Sequence, residues 1–62
     1  MNRQLAFDFL TLRVSERQAI CRKLDITTHQ GGGEKNMDYA MRVLSEIDNA
    51  GKLRELEALL NS

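Results

Sequence analysis

Apolar residues recur along this chain at helical spacing and nowhere with the alternation of a strand. Near the N-terminus Leu5, Ala6, Phe9 and Leu10 stand at i, i+1, i+4 and i+5, one stripe of a 3.6-residue period, and predict a first helix over roughly residues 2–10. Phe7 falls about 200° from Leu5 at 100° per residue, so it either packs against the connection Leu12-Arg13-Val14 or lies exposed. Ser15-Glu16-Arg17-Gln18 reads as a capping box, in which the Ser15 hydroxyl accepts the Gln18 amide and the Gln18 side chain reaches back to Ser15. A second helix is therefore predicted to start at Glu16 and to end near Asp25-Ile26. Its apolar arc is Ile20, Cys21 and Leu24, which leaves Arg22 and Lys23 in solvent. Thr27 to Gly33 has no periodicity and closes on three consecutive glycines, which cost entropy to order; a mobile loop inside one domain is expected. Met37, Ala40, Met41, Leu44 and Ile47 then recur at i, i+3, i+4, i+7 and i+10 and predict a long helix over 35–49. Gly51 stops it as a left-handed cap. Leu53, Leu56, Leu59 and Leu60 predict a short fourth helix, antiparallel to the third or crossing it.

Length and composition narrow what such helices can do. A chain of 62 residues with 42% hydrophobic residues, no Pro and no Trp has room for one domain. It buries only about 60% of its unfolded surface, while ordering it costs roughly 90 kcal/mol at about 1.5 per residue, which leaves little stability for a deep cleft. The lone Cys21 excludes an internal disulfide framework, and no Cys/His cluster has zinc-ligand spacing. The start, MNRQLAFDFL, holds an apolar stretch broken by Asp8, which is neither a signal peptide nor a membrane span. A cytoplasmic protein without metal or cofactor is expected. Net charge is zero, but residues 1–33 hold five basic against three acidic side chains and residues 34–62 four against six. This describes a weakly basic and a weakly acidic end, or ordinary scatter over solvated helices.

Chemistry finds few footholds. Gly31-Gly32-Gly33-Glu34-Lys35 before a helix suggests anion binding, yet a phosphate loop needs Gly-x-x-x-x-Gly-Lys-Ser/Thr after a strand, and here Asn36 follows Lys35. Cys21 and His29 would need each other and an orienting partner to act as nucleophile and base, and nothing in the spacing joins them. The carboxylates are dispersed, so no catalytic pair is assigned. Leu12 to Thr27 has the outline of a helix-turn-helix, but a reading helix needs cations and amides toward the groove, whereas Met37 to Ile47 is mostly apolar with Asp38 and Glu46. The back of the third helix is more informative: Tyr39, Arg42, Val43 and Glu46 stand at i, i+3, i+4 and i+7, and Tyr and Arg anchor protein interfaces. The blander reading has Tyr39 and Val43 cover a neighbouring helix. Arg22 and Lys23 on one helix and Glu55 and Glu57 on another could pair between molecules, and two different patches meeting give a head-to-tail contact that grows into open strings.

The punctuation of the whole chain, with Leu-x-Leu at 10–12, the capped helix Ser15 to Ile26, a glycine-containing loop, a long helix and the closing Gly51-Lys52-Leu53-Arg54-Glu55-Leu56, resembles the effector-associated domains, small death-like adaptor modules of bacterial conflict and immune systems. Their closing segment runs basic-Gly-basic-Leu-x-x-Leu; here Ala50 stands where a basic residue is frequent. The resemblance spans about residues 5 to 60. It implies an all-α bundle of four to five helices of death-domain type over residues 1–62. It also implies a non-enzymatic role, coupling a sensor or NTPase to an effector through contacts with copies of itself or with a matching domain. The expected partner is protein, not nucleic acid or membrane, with self-association among the options. The contact residues would be Tyr39, Arg42 and Glu46 on one surface and Arg22 and Lys23 against Glu55 and Glu57 on the other. The alternative functions are a small helix-turn-helix DNA-binding regulator or antitoxin-like protein, or the docking end of a larger enzyme.

Overall fold

The computed structural model describes residues 2–62 and is built from α1 (Arg3–Leu10), α2 (Val14–Lys23), α3 (Asn36–Asn49) and α4 (Leu53–Leu60), with no strand among the described residues. At the head of α1 the Asn2 side chain accepts the Gln4 amide at 2.8 Å, satisfying one donor that a helix start leaves open. Leu5 and Phe9 face inward with Ala6 and Leu10 beside them, as the stripe predicts, and Phe7 is 62% exposed.

α2 starts two residues earlier than the Ser15 box predicts. Arg13 is the flanking residue, and the Glu16 carboxylate accepts its amide at 3.0 Å. A charged acceptor in the first turn is favoured both by the hydrogen bond and by the positive helix end, so Glu16 sets the register and Ser15 falls inside the helix. The other end also closes early, at Lys23. The Ile26 amide donates to the Cys21 carbonyl at 2.8 Å and the Asp25 amide to Arg22 at 3.3 Å, the paired bonds of a Schellman motif. Asp25 holds the left-handed position at φ 60°. α3 ends by the same device: the Lys52 amide donates to Ile47 and the Gly51 amide to Asp48, each at 2.9 Å, with Gly51 at φ 72°, as expected of its cap.

The inward face of α3 is rotated from its expected position. Ala40, Val43, Leu44 and Ile47 are buried, Val43 to 2% exposure, whereas Met37 and Met41 are each 47% exposed. The expected arc through Met37 and Met41 is thus shifted by about 45° at 100° per residue, toward the side where α2 and the following loop pack. Val43, read with Tyr39 either as outer face or as cover for a neighbouring helix, is a core residue, which favours the second reading. Phe9, Ile47 and Leu56 are wholly enclosed where α1, α3 and α4 pack on one another, and each such side chain contributes about 1.5–3 kcal/mol by leaving water. α2 joins this centre through Ile20 and Leu24 and through two cations on helix-end carbonyls. The Arg17 guanidinium donates to Leu10 O at 3.2 Å and Leu12 O at 2.5 Å, and the Lys52 ammonium donates to Leu24 O at 2.5 Å. The carbonyls that end a helix lack partners of their own, which is why basic side chains are drawn there.

Candidate functional site

The segment from residue 26 to residue 35, the strap, crosses one side of α3, and the face of α3 beneath it carries Tyr39, Arg42 and Glu46. All three side chains are engaged within the chain. The Tyr39 hydroxyl donates to Thr28 O at 2.6 Å, and Glu46 accepts the Thr28 hydroxyl. Arg42 pairs with both Glu34 oxygens, at 3.0 and 2.7 Å, and donates to His29 O at 2.9 Å, with its guanidinium 5.5 Å from the Tyr39 ring centroid. The Gln30 amide closes the strap on itself through Glu34 O at 2.7 Å and Asn36 Oδ1 at 3.0 Å. The segment expected from three glycines to be mobile is bonded to α3 at both shoulders, while Gly32 and Gly33 between them stand in open space. The cause lies in residues outside the glycine run: Thr28, His29 and Glu34 meet the side chains of α3.

This network shapes the local electrostatics. The Arg42 hydrogen bonds, and then the Gly31 amide that donates to the same carboxylate at 3.0 Å, lower the Glu34 pKa from 4.5 to about 2. Glu34 in turn raises the pKa of Arg42. Burial raises the Tyr39 hydroxyl, with smaller contributions from neighbouring charges. Cys21, half-buried beside Tyr39, is also raised by burial and then by the charge of Glu46, which Arg17 and Arg22 only partly oppose. A thiol shifted upward is held in its protonated, weakly nucleophilic form. Cys21 and His29 do line one cleft, a meeting that the spacing did not reveal, but no hydrogen bond joins them among the described residues.

Arg22 and Lys23 in the last turn of α2, and Glu55 and Glu57 on α4, are exposed. Arg22, Lys23 and Glu55 each sit at the helix end that suits their sign, since cations favour a C-terminus and anions an N-terminus. The Lys52 bond to Leu24 O brings the end of α2 next to the start of α4. The structure therefore gathers Tyr39, Arg42 and Glu46 under the strap and leaves the four other charged residues in solvent. Sequence reasoning missed Arg17, Thr28, Glu34 and Lys52; of these only Lys52 had a signal, its place after Gly51 in the closing motif.

The remaining geometry is shallow. A dimple of about 20 Å³ between α2 and α3, reached by Phe9, Val14 and Val43, holds one water at most, and an open cleft of about 250 Å³ lies between α2 and the strap. The outer side of α3 presents Asp38, Ser45 and Asp48, with its single cation already paired to Glu34, a charge pattern that repels phosphate. Among the described residues no group of His, Cys, Asp and Glu could hold a metal ion, and no helix is long and apolar enough to cross a membrane.

A family model described as the GTPase-associated adaptor domain, GAAD, matches residues 1–62. The chain belongs to this family. An adaptor is what the resemblance carried by the closing motif implied, and the family description adds association with a GTPase. Neither a curated protein nor a solved structure gives a significant match. For this GAAD chain the closing motif has a physical account: Gly51 supplies the left-handed turn, Lys52 caps α2, and Leu53 and Leu56 enter the core.

Proposed function

We propose that this GAAD domain is a non-enzymatic, death-like adaptor that couples a GTPase or a related nucleotide-hydrolysing sensor to an effector in a bacterial defence system, through contacts with copies of itself or with a matching domain. The observation that carries this reading is the exposure of charged side chains of opposite sign, Arg22 and Lys23 on α2 and Glu55 and Glu57 on α4, on a domain whose family is an adaptor family. Tyr39, Arg42 and Glu46 take part from beneath, holding the strap against α3 so that its outer side meets the partner in one conformation. Ordering a contact segment before binding lowers the entropic cost of association.

Complementary charges chiefly set encounter rate and partner choice, and exposed pairs are screened beyond about 10 Å at 0.1 M salt. The test is the molar mass of the purified chain by size exclusion with light scattering from about 10 µM to about 1 mM, where contacts of about −4 to −7 kcal/mol register, at low and at high salt. Growth with concentration at low salt, reduced by salt and abolished by Arg22→Glu with Lys23→Glu at unchanged helicity, is the expected result. Self-association that survives the double reversal removes the charged surfaces from the mechanism.

A further inference from the structure

Two large apolar side chains of α3 take no part in the core. Met37 and Met41, one turn apart, are each 47% exposed, and neither belongs to the buried cluster or to the side chains packed against it. They stand on the flank turned away from the strap: Tyr39, Arg42 and Glu46 lie about 140–180° around the helix from Met37 at 100° per residue. Asp38, Ser45 and Asp48 lie within about 60° of Met41. All three are exposed, and among the described residues their side chains make no hydrogen bond or ion pair. The two cations of this helix and its cap, Lys35 and Arg42, fall about 160° and 140° from Met37, and Arg42 is already paired with Glu34. The face is therefore an apolar stripe bordered by two uncompensated carboxylates. Its charge repels nucleic acid and an anionic lipid surface, and methionine, unbranched and polarizable, fits its side chain to anchors of different shape.

We propose that this face docks an amphipathic helix of another protein, with apolar anchors at i and i+4 between flanks of lysine or arginine. The proposal rests on the adaptor reading above and names the surface and the chemistry of the partner. Charge complementarity and spacing select the occupant. Asp38 and Asp48 are separated by about 15 Å along α3, wider than the roughly 10–12 Å of a helix with its side chains. A helix crossing over Met41 and against Met37 thus meets one carboxylate on each flank. A second copy supplies no such helix: among the described residues α1 exposes Phe7 alone, α2 Val14 alone and α4 no large apolar side chain, and a second α3 brings the same carboxylates.

The probe is a synthetic peptide of about 18 residues, long enough to form a helix in water, with leucines at i, i+4 and i+7 and lysines on both flanks. It carries a fluorophore and is titrated with the full chain. Binding below about 100 µM that weakens with salt is the expected result, and the ¹³C methyl signals of Met37 and Met41 shift as the peptide saturates. Met37→Gln with Met41→Gln, exposed positions where Gln keeps the helix propensity of Met, weakens binding about tenfold or more at unchanged circular dichroism. Asp38→Asn with Asp48→Asn weakens it and flattens its salt dependence. No binding at about 1 mM, equal binding by wild type and the double Gln variant, or methyl signals that stay in place, overturns the docking face. Methyl signals that move with the concentration of the chain itself, before peptide is added, put a second copy on the face and overturn the choice of occupant. The light-scattering test of Arg22 and Lys23 leaves this face of α3 untouched, so self-association and peptide binding hold or fail independently.

Discussion

Gly51 is the residue whose identity the fold most plainly demands, and replacing it by Ala isolates one physical effect. Its φ is 72°, and a Cβ built there meets no atom within 4 Å, so the substitution brings no clash and only backbone strain. An L-residue in the left-handed region costs about 1–2 kcal/mol. Ala also narrows the unfolded ensemble, which offsets about 0.4–1 kcal/mol of that. Gly51→Ala should therefore destabilise by about 1 kcal/mol, a fall in Tm of about 4–8 °C for a chain of this size. Thermal unfolding followed by far-ultraviolet circular dichroism measures it. Gly32→Ala is the control, because Gly32 also has open space around its Cβ but is not among the positive-φ glycines; it should keep or raise the Tm by the entropic effect alone. Equal losses in the two variants, or none at Gly51, would refute the cap as the reason for that glycine.

The partner motif at the end of α2 gives the reverse expectation. Asp25 sits at φ 60°, at a helix end that disfavours its charge, so Asp25→Gly stabilises by up to about 1 kcal/mol in urea unfolding; a loss would show that the aspartate has a compensating contact. Lys52→Met keeps the apolar stem but strips the donor from Leu24 O; a half-exposed, charge-assisted bond of this kind contributes about 1–2 kcal/mol, and a change below about 0.5 kcal/mol would remove Lys52 as the link between α2 and α4. Glu34 predicts a pH dependence: its pKa is depressed from 4.5 to about 2, so its stabilising effect is full above pH 4.5 and is lost as pH falls toward 2. The urea midpoints of wild type and Glu34→Gln should accordingly differ by a constant amount above pH 4.5 and converge as pH 2 is approached; a gap independent of pH would mean that the Arg42 pair does not govern the strap.

How far the fold was legible varies element by element. All four helices follow from the repeat of apolar residues, because a stripe that must be buried specifies its own period. The start of α2 did not, since Ser15 and Glu16 each offer a local cap and the stronger, charged acceptor prevails. The rotation of α3 was hidden as well: Met37, Ala40, Met41 and Leu44 form as regular a stripe as Ala40, Val43, Leu44 and Ile47, and the choice between them depends on which side α2 and the strap occupy. Tyr39, Arg42 and Glu46 were legible as one face of a helix. That their polar groups meet Thr28, His29 and Glu34 was not, for those residues lie in a stretch without periodicity whose path is set by where it lands.

By itself, then, the amino-acid sequence determined the local terms: helix periods, the glycine stop after α3, the sorting of charge toward suitable helix ends, and the lack of a metal or phosphate motif. Those depend on neighbours within a turn or two. Only the tertiary structure decided which apolar stripe of α3 is core, that Arg17 turns back onto the end of α1 while Lys52 caps α2 from far along the chain, and that Glu34 and Thr28 bond to α3 on either side of the glycines. It also made a donor-lined cleft from Gln18, Arg22, Thr27 and His29. Each of these needs residues from separate elements to meet, and where they meet is fixed by how the stripes of α1, α3 and α4 that bury Phe9, Ile47 and Leu56 pack on one another.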